Sequence, residues 1–234
     1  MKNIFFIAVF FFNINSFCQS AYEEFNAGLL KLKKGDYEGA IENYNKAIEI
    51  DPNYEIAYHD RGVAKEKLND FHGAIEDFDK AIELNPQNSV FYINRGVAKE
   101  KLNDFHGAIE DYTESIRLDI YNAKAYYVRG ISKEKLFDYR GALLDYNKAI
   151  EFDNKNGKIY NNRGAIKSKL KDYKGALLDF NSAIKLDPTN AMAFCNRGLA
   201  KIKLNDKNGG CLDLSKAGEL GFQAAYESIK KYCN

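Results

Sequence analysis

The chain has 234 residues, of which 45% are hydrophobic and 29% charged, a composition typical of a folded protein and one that excludes a disordered chain. Its 34 basic and 33 acidic residues leave a formal net charge of +1. This balance excludes the strongly basic class of protein that binds nucleic acid or an anionic membrane surface through its net charge.

The first twenty residues differ in composition from the rest of the chain. A positive start precedes an apolar run from Ile4 to Phe12, and small residues follow at positions 18 and 20, which are −3 and −1 relative to a cut after Ser20. This pattern predicts a secretory signal peptide over residues 1–20, cleaved near its end, so that the mature protein is periplasmic or extracellular. The apolar run is shorter than the roughly 20 residues that span a bilayer, so no integral membrane span is expected. A lipid anchor on Cys18 is disfavoured because the bulky Phe17 precedes it.

From Ala21 to Ala224 the sequence repeats with a period of 34 residues, which the glycines mark most clearly: Gly28, Gly62, Gly96, Gly130, Gly164 and Gly198. A period of this length predicts an all-α solenoid of helix-turn-helix units, which presents a surface rather than enclosing a reaction pocket. The six copies are 21–54, 55–88, 89–122, 123–156, 157–190 and 191–224.

Each copy is predicted to form two helices, here called A and B. In the second copy, Asn69 suits the left-handed residue that ends helix A, and Asp70 suits the N-cap of helix B. Because glycine inside a helix costs about 0.5–1 kcal/mol relative to alanine, Gly62 and its equivalents predict a close approach of the two helices. The recurring aromatic residues are interpreted as core: Tyr58, Tyr92, Tyr126, Tyr160 and Phe194 on helix A, and Tyr44, Phe78, Tyr112, Tyr146 and Phe180 on helix B.

These small and aromatic positions, together with Gly35-Asp36-Tyr37 and Asp-Pro at 51–52 and 187–188, resemble tetratricopeptide (TPR) repeats over residues 21–224. The resemblance implies a right-handed superhelix whose A helices line a concave groove. It also implies that a protein or peptide segment binds in that groove.

Residues 225–234 follow the sixth copy and predict a C-terminal capping helix with a polar outer face. Without the leader, three cysteines remain, so at most one internal disulfide forms. Cys211 lies near the start of the last helix B and Cys233 lies at the end of the cap, and two antiparallel neighbouring helices would bring these ends together. A Cys211–Cys233 disulfide is therefore predicted, with two buried thiols as the alternative.

An arginine in helix A and an aspartate in helix B occur together in copies two to six and are both absent from the first copy. This joint occurrence predicts ion pairs within the copies: Arg61–Asp77, Arg95–Asp111, Arg129–Asp145, Arg163–Asp179 and Arg197–Asp213. Such pairs would hold the two helices in register, and removing one member of a buried pair typically costs about 3–5 kcal/mol. The alternative is an arginine ladder that grips an acidic ligand.

The TPR resemblance places the groove on the second, fifth, ninth, twelfth and thirteenth residues of each copy. The protein-binding candidates are Tyr22, Phe25, Leu29, Leu32, Ile93, Val97, Lys101, Tyr127, Ile131, Lys135, Met192 and Leu199. Apolar anchors predominate, so an extended or helical segment is the expected ligand. The lysines would form a basic rim for carboxylates, or else be solvated helix ends that favour the helix dipole.

No phosphate-binding loop, nucleophile elbow, zinc-protease motif or paired CxxC occurs in the sequence. We therefore expect no catalytic residue, no metal site and no cofactor. The prediction is an exported, non-catalytic scaffold that binds a protein segment, with no nucleic acid partner. One alternative is a self-assembling module that forms a homo-oligomer through its apolar N-terminal helix, and another is an accessory subunit of an envelope enzyme or assembly complex.

Overall fold

The computed structural model describes residues 20–233, and this part of the chain is built from helices with no strand. Residues 1–19 of the predicted signal peptide, which include Cys18, lie outside the described residues. The helices are α1 (20–34), α2 (Tyr37–Ile50), α3 (Glu55–Lys67), α4 (Phe71–Leu84), α5 (Ser89–Lys101), α6 (Phe105–Leu118), α7 (Ala123–Lys135), α8 (Tyr139–Phe152), α9 (Gly157–Lys169), α10 (Tyr173–Leu186), α11 (Ala191–Lys203), α12 (Lys207–Glu219) and α13 (Ala224–Tyr232). None of these helices is both long enough and apolar enough to cross a lipid bilayer.

The chain divides after Asp119 into two compact units. The first unit holds α1 to α6 and the second holds α7 to α13. In the second unit, each A helix (α7, α9, α11) packs against the B helix that follows it (α8, α10, α12), and each B helix packs against the next A helix. The same order of packing holds from α2 to α6 in the first unit.

The turns between A and B helices follow the predicted chemistry. Asn69 adopts a left-handed backbone with φ of 62°, and the Asp70 carboxylate accepts a hydrogen bond of 3.0 Å from the backbone N–H of Gly73. Both expectations for this turn are confirmed. At the equivalent left-handed positions of the second unit, Phe137 and Lys171 have φ of 63° and 65°, although neither residue type favours that conformation.

The helix B aromatic rings form the core and explain the glycines of helix A. Tyr44, Phe78, Tyr112, Tyr146 and Phe180 are fully buried. A Cβ atom at Gly62 would lie 2.8 Å from Cε1 of Phe78, which is too close for any side chain. The predicted packing reason for these glycines is confirmed.

The interpretation of the helix A aromatics as core needs a correction. Tyr92 is buried, but its equivalents Tyr58, Tyr126, Tyr160 and Phe194 are partly exposed. An arginine guanidinium covers each ring, at 5.3 to 5.6 Å from the ring centroid. These rings therefore pack between the core and the arginines of the ion pairs, at the edge of the core rather than inside it.

The last helix, α13, packs against α11 and α12. Phe222 and Ile229 contact a cluster that contains the buried residues Cys195 and Leu214. Cys211 and Cys233 form a disulfide with their Cα atoms 5.8 Å apart, whereas Cys195 is a free thiol whose pKa is raised by burial.

Candidate functional site

The structure brings each predicted arginine–aspartate pair together. In every pair, the arginine Nε donates to one carboxylate oxygen at 2.8 to 3.0 Å and Nη2 donates to the other at 2.5 to 2.7 Å. The pairs are Arg61–Asp77, Arg95–Asp111, Arg129–Asp145, Arg163–Asp179 and Arg197–Asp213. The aspartates are buried, so these are bidentate pairs at the edge of the core.

A lysine completes each pair, and sequence reasoning missed it. Lys65 Nζ lies 2.8 Å from the same Asp77 carboxylate that Arg61 holds. The equivalent lysines are Lys99, Lys133, Lys167 and Lys201, at 2.8 to 2.9 Å from their aspartates. Each stands four residues after its arginine, one turn along the helix, and this regular spacing was the signal that could have revealed it.

The arginines are occupied by groups of the chain itself. Besides Asp77, Arg61 donates from Nη1 to Asn45 Oδ1 of the preceding B helix at 2.6 Å. Arg163 does the same to Asn147, and Arg197 to Asn181. This arrangement favours a role in holding helices in register over the alternative of gripping an acidic ligand.

Of the groove candidates in the first unit, two need a correction. Phe25 and Ile93 are only 8% and 2% exposed, so they belong to the core and cannot anchor a ligand. The Phe25 ring packs 5.7 Å from the Tyr44 ring and 5.1 Å from the Tyr54 ring. Because Leu29 and Leu32 join the same cluster, only Tyr22 remains exposed on the apolar N-terminal face that was expected to dock a second copy. Val97 is half-buried and Lys101 exposed.

In the second unit, the candidates lie on or beside the A helices α7, α9 and α11. Tyr127 and Ile131 on α7 are half-buried, as is Leu199 on α11. Lys135 and Met192 are exposed. The surface that these helices form in the second unit is called the A face below.

A row of hydrogen-bonded side chains, called the amide line, crosses the A face, and sequence reasoning missed three of its four members. Asn196 on α11 donates to Asn161 Oδ1 on α9 at 3.0 Å. Asn161 in turn donates to Asn162 Oδ1 at 3.4 Å, and Asn162 donates to the Tyr127 hydroxyl on α7 at 3.3 Å. The line thus joins three successive A helices. Burial raises the pKa of the Tyr127 hydroxyl, which keeps it neutral.

Two cavities open beside the amide line. One of about 310 Å³ is lined by Lys158, Asn161, Asn162, Asp187, Asn190 and Met192. The other, of about 320 Å³, lies between α9 and α11, and its lining includes Asn196, Leu199 and Phe180. Each is as large as the smallest ligand pockets, so each suits a side chain of a bound segment. Within residues 20–233 no cluster of His, Cys, Asp or Glu is arranged to hold a metal ion.

Comparison with known families matches TPR models at several places along the chain. Models described as tetratricopeptide or TPR repeats match residues 28–69, 56–88, 78–110, 123–156 and 157–190. A TPR repeat-containing protein of Methanocaldococcus jannaschii is 41% identical over 44 residues. That match covers 19% of this chain and only 8% of the archaeal protein.

Solved structures with low identity share the fold. YrrB, a TPR protein with an unusual peptide-binding site, has 22% identity and a TM-score of 0.68, over 80% of this chain and 97% of its own. The pilF protein of Pseudomonas aeruginosa has 16% identity and a TM-score of 0.81, over 92% and 99%. A tetratricopeptide repeat protein from Parabacteroides merdae has 19% identity and a TM-score of 0.66, over 92% and 100%. The helix pairs, the family matches and these likenesses agree, and the chain belongs to the tetratricopeptide repeat family as an all-α solenoid of helix-turn-helix repeats.

Proposed function

We propose that this protein is an exported, non-catalytic scaffold that binds a protein segment on the A face of its second unit. The TPR fold itself is consistent with protein–protein interaction. The amide line is the observation that carries the more specific proposal, because it is a continuous polar feature on a face that otherwise offers apolar candidates.

Asparagine side chains suit the backbone of a bound peptide. Each amide group carries both donors and an acceptor, which match the N–H and C=O groups of an extended chain. Asn162 and Asn196 are half-buried, so they are held by the protein and still reach solvent. Met192 and the neighbouring cavities then offer space for side chains of the segment. Backbone contacts would supply affinity, and the cavities would supply selectivity.

Export is supported mainly by the leader. The apolar run from Ile4 to Phe12 and the small residues before Ala21 predict cleavage of residues 1–20. The disulfide between Cys211 and Cys233 agrees with an oxidising compartment. N-terminal sequencing of the protein recovered from the envelope fraction tests this part, with a chain beginning at Ala21 as the expected result and retained Met1 as the contrary one.

The experiment for binding is selection of a random dodecapeptide phage library on residues 21–234, followed by calorimetry of the selected peptides. An Asn162→Ala/Asn196→Ala variant should lose at least about tenfold in affinity, since two amide partners disappear at about 1 kcal/mol each. The matched control is Asn154→Ala/Asn208→Ala, which removes two exposed amides outside the A helices. Equal losses in both variants, or failure to select any peptide, would contradict the proposal.

A second candidate function is self-association. The surface that favours it lies on the B helices of the second unit and not on the N-terminal helix. Leu144, Leu178 and Leu212 occupy equivalent positions on α8, α10 and α12 and are 67%, 69% and 72% exposed. The equivalent residues of the first unit are Glu42, Glu76 and Glu110. Exposed leucines at a repeated position favour an apolar contact surface. Light scattering of the native protein and of a variant with all three leucines changed to glutamate tests it: only the native protein should oligomerise, and a monomer at high concentration excludes self-association.

A further inference from the structure

The junction between α7 and α9 contains a cation held by a carboxylate. Lys169 Nζ on α9 lies 3.1 Å from Glu134 Oε1 on α7, so the lysine of one A helix pairs with the acid of the A helix before it. The same Nζ lies 4.9 Å from the centroid of the Tyr139 ring. Glu134 and Tyr139 together hold the Lys169 ammonium group through an ion pair and a cation–π contact.

The next junction, between α9 and α11, has the equivalent lysine and tyrosine but lacks the carboxylate. One period of 34 residues later, Lys203 replaces Lys169, Tyr173 replaces Tyr139, and Ser168 replaces Glu134. Within residues 20–233, Lys203 has no ion pair. The Ser168 hydroxyl oxygen is buried without a hydrogen-bond partner, which leaves a polar atom unsatisfied.

The missing carboxylate coincides with a cavity. Ser168, Tyr173 and Lys203 all line the 320 Å³ cavity between α9 and α11. Phe180 and Leu199 form its apolar wall, and Asn196 of the amide line lies at its edge. The cavity therefore combines a free cation, an unsatisfied hydroxyl and an apolar surface in a space suited to one or two side chains.

We propose that this cavity is a specificity pocket for a peptide that carries an aspartate or glutamate next to a large apolar residue. The carboxylate of the peptide takes the place that Glu134 fills in the preceding junction, where it pairs with Lys203 and accepts a hydrogen bond from Ser168. The apolar side chain packs against Phe180 and Leu199. This inference rests on the proposed function, because it names the class of segment that the A face binds.

The variant Ser168→Glu tests directly whether Lys203 binds a carboxylate of the peptide. This change introduces the residue found at the equivalent position of the preceding junction. The carboxylate of the new glutamate should pair with Lys203 and so prevent the carboxylate of the peptide from binding there. We expect the variant to fold, because a glutamate already occupies the equivalent position beside Lys169. The Tyr146 hydroxyl, which donates to the second oxygen of Glu134, has no counterpart at this junction, where Phe180 takes its place. Lys203→Gln removes the cation independently, and Lys185→Gln, an exposed lysine on α10, is the matched charge control.

The probes are fluorescein-labelled glycine–serine octapeptides that contain one leucine–aspartate, leucine–asparagine or leucine–lysine pair, measured by fluorescence anisotropy. We expect the aspartate peptide to bind at least about tenfold more tightly than the asparagine peptide, since a charged hydrogen bond is roughly twice as strong as a neutral one. Ser168→Glu and Lys203→Gln should each abolish this preference, whereas Lys185→Gln should keep it.

The results separate this inference from the proposed function. If the aspartate and asparagine peptides bind equally, or if the preference survives in Ser168→Glu and Lys203→Gln, the specificity pocket is wrong. The general proposal would still stand if library-selected peptides lost affinity in the Asn162→Ala/Asn196→Ala variant. If neither the library nor the octapeptides yield any binding to the native protein, both proposals fail together.

Discussion

The guanidinium of Arg95 donates two hydrogen bonds to the carboxylate of Asp111, from Nε at 3.0 Å and from Nη2 at 2.5 Å. Its third contact, from Nη1, reaches Asp79 at 2.6 Å. The two acceptors differ in environment, because the Asp111 side chain is 4% exposed and the Asp79 side chain 55%. One arginine therefore allows a buried and an exposed ion pair to be compared directly.

Asp111→Ala should lower the free energy of unfolding by about 3 kcal/mol, because it leaves Arg95 and Lys99 without their shared buried carboxylate. Asp79→Ala should lower it by less than about 1 kcal/mol, as for other exposed pairs. Urea denaturation of both variants measures the difference. Equal losses would show that burial of the carboxylate does not govern the strength of the pair.

Gly130→Ala should destabilise the protein by about 1–3 kcal/mol, the usual cost of overpacking a core. The added Cβ would lie 2.7 Å from Cε1 of Tyr146. At a solvent-exposed helix position, changing glycine to alanine stabilises the folded protein by about 0.5–1 kcal/mol. The sign of the change in stability therefore shows whether the Tyr146 ring lies against Gly130. The cost measured by thermal denaturation should fall in a Tyr146→Leu background, and a stabilising effect in the native background would contradict this packing.

Phe137→Asn should stabilise the protein by about 1 kcal/mol, since a left-handed backbone costs roughly 1–2 kcal/mol for most residues and less for asparagine. Phe137 has φ of 63° and is 76% exposed, so the packing lost with the ring is chiefly its edge-on contact with the Tyr139 ring, at 6.2 Å between centroids. Asn69→Phe, the reverse change at the equivalent turn, should destabilise by a similar amount. An unchanged or lower melting temperature for Phe137→Asn would mean that the ring makes a stabilising contact.

Removal of the disulfide by Cys211→Ser/Cys233→Ser should cost about 3 kcal/mol, the expected value for closing a loop of this length. Hydrogen exchange should rise first in α13, because the disulfide ties the end of this helix to the start of α12. Residues 21–234 should also titrate a single thiol, Cys195, in denaturant without reductant. Three reactive thiols under those conditions would exclude the bond.

Acid should weaken the last repeat through Asp213. Burial pushes the pKa of Asp213 upward, but hydrogen bonds and charges from Arg197 and Lys201 outweigh burial, so the pKa in the folded protein lies below the ordinary 3.8. The unfolded chain then binds more protons than the folded one as the pH falls. The stabilisation is therefore complete above about pH 5 and is lost as the pH falls through the folded pKa.

Asp213→Asn should remove this contribution to the pH dependence of the free energy of unfolding between about pH 5 and about pH 2. Glu219→Gln, which changes an exposed carboxylate of the same helix, is the control and should keep the native slope. Denaturation curves across the range give both slopes. If the free energy of unfolding of Asp213→Asn depends on pH as steeply as that of the native protein, groups other than Asp213 cause the acid sensitivity.

The sequence predicted features that repeat within one copy. The contacts of Arg61 with Asp77 and of Gly62 with Phe78 span 16 residues inside a single helix pair, and comparison of the copies revealed both sets of positions. Asn69 and Asp70 followed from local turn chemistry in the same way. Such features depend only on the geometry of one repeat, which the period already defines.

The amide line could not be predicted in this way. Its bonds between helices join residues 35 apart, such as Tyr127 with Asn162, and so does the bond from Lys169 to Glu134. This separation is one more than the period, so a comparison of equivalent positions never places these residues side by side. The burial of Phe25 and Ile93 was missed for a related reason, because it depends on how far the neighbouring helices cover them.

The most direct test of the proposed binding face is an NMR titration of ¹⁵N-labelled residues 21–234 with a library-selected peptide, observing the asparagine side-chain amides. If the segment binds along the A face, the NH₂ signals of Asn162 and Asn196 shift in a saturable manner while those of Asn147 and Asn181 on the B helices stay in place. If the signals of Asn147 and Asn181 shift and those of Asn162 and Asn196 do not, the segment binds on the B helices and the account is wrong.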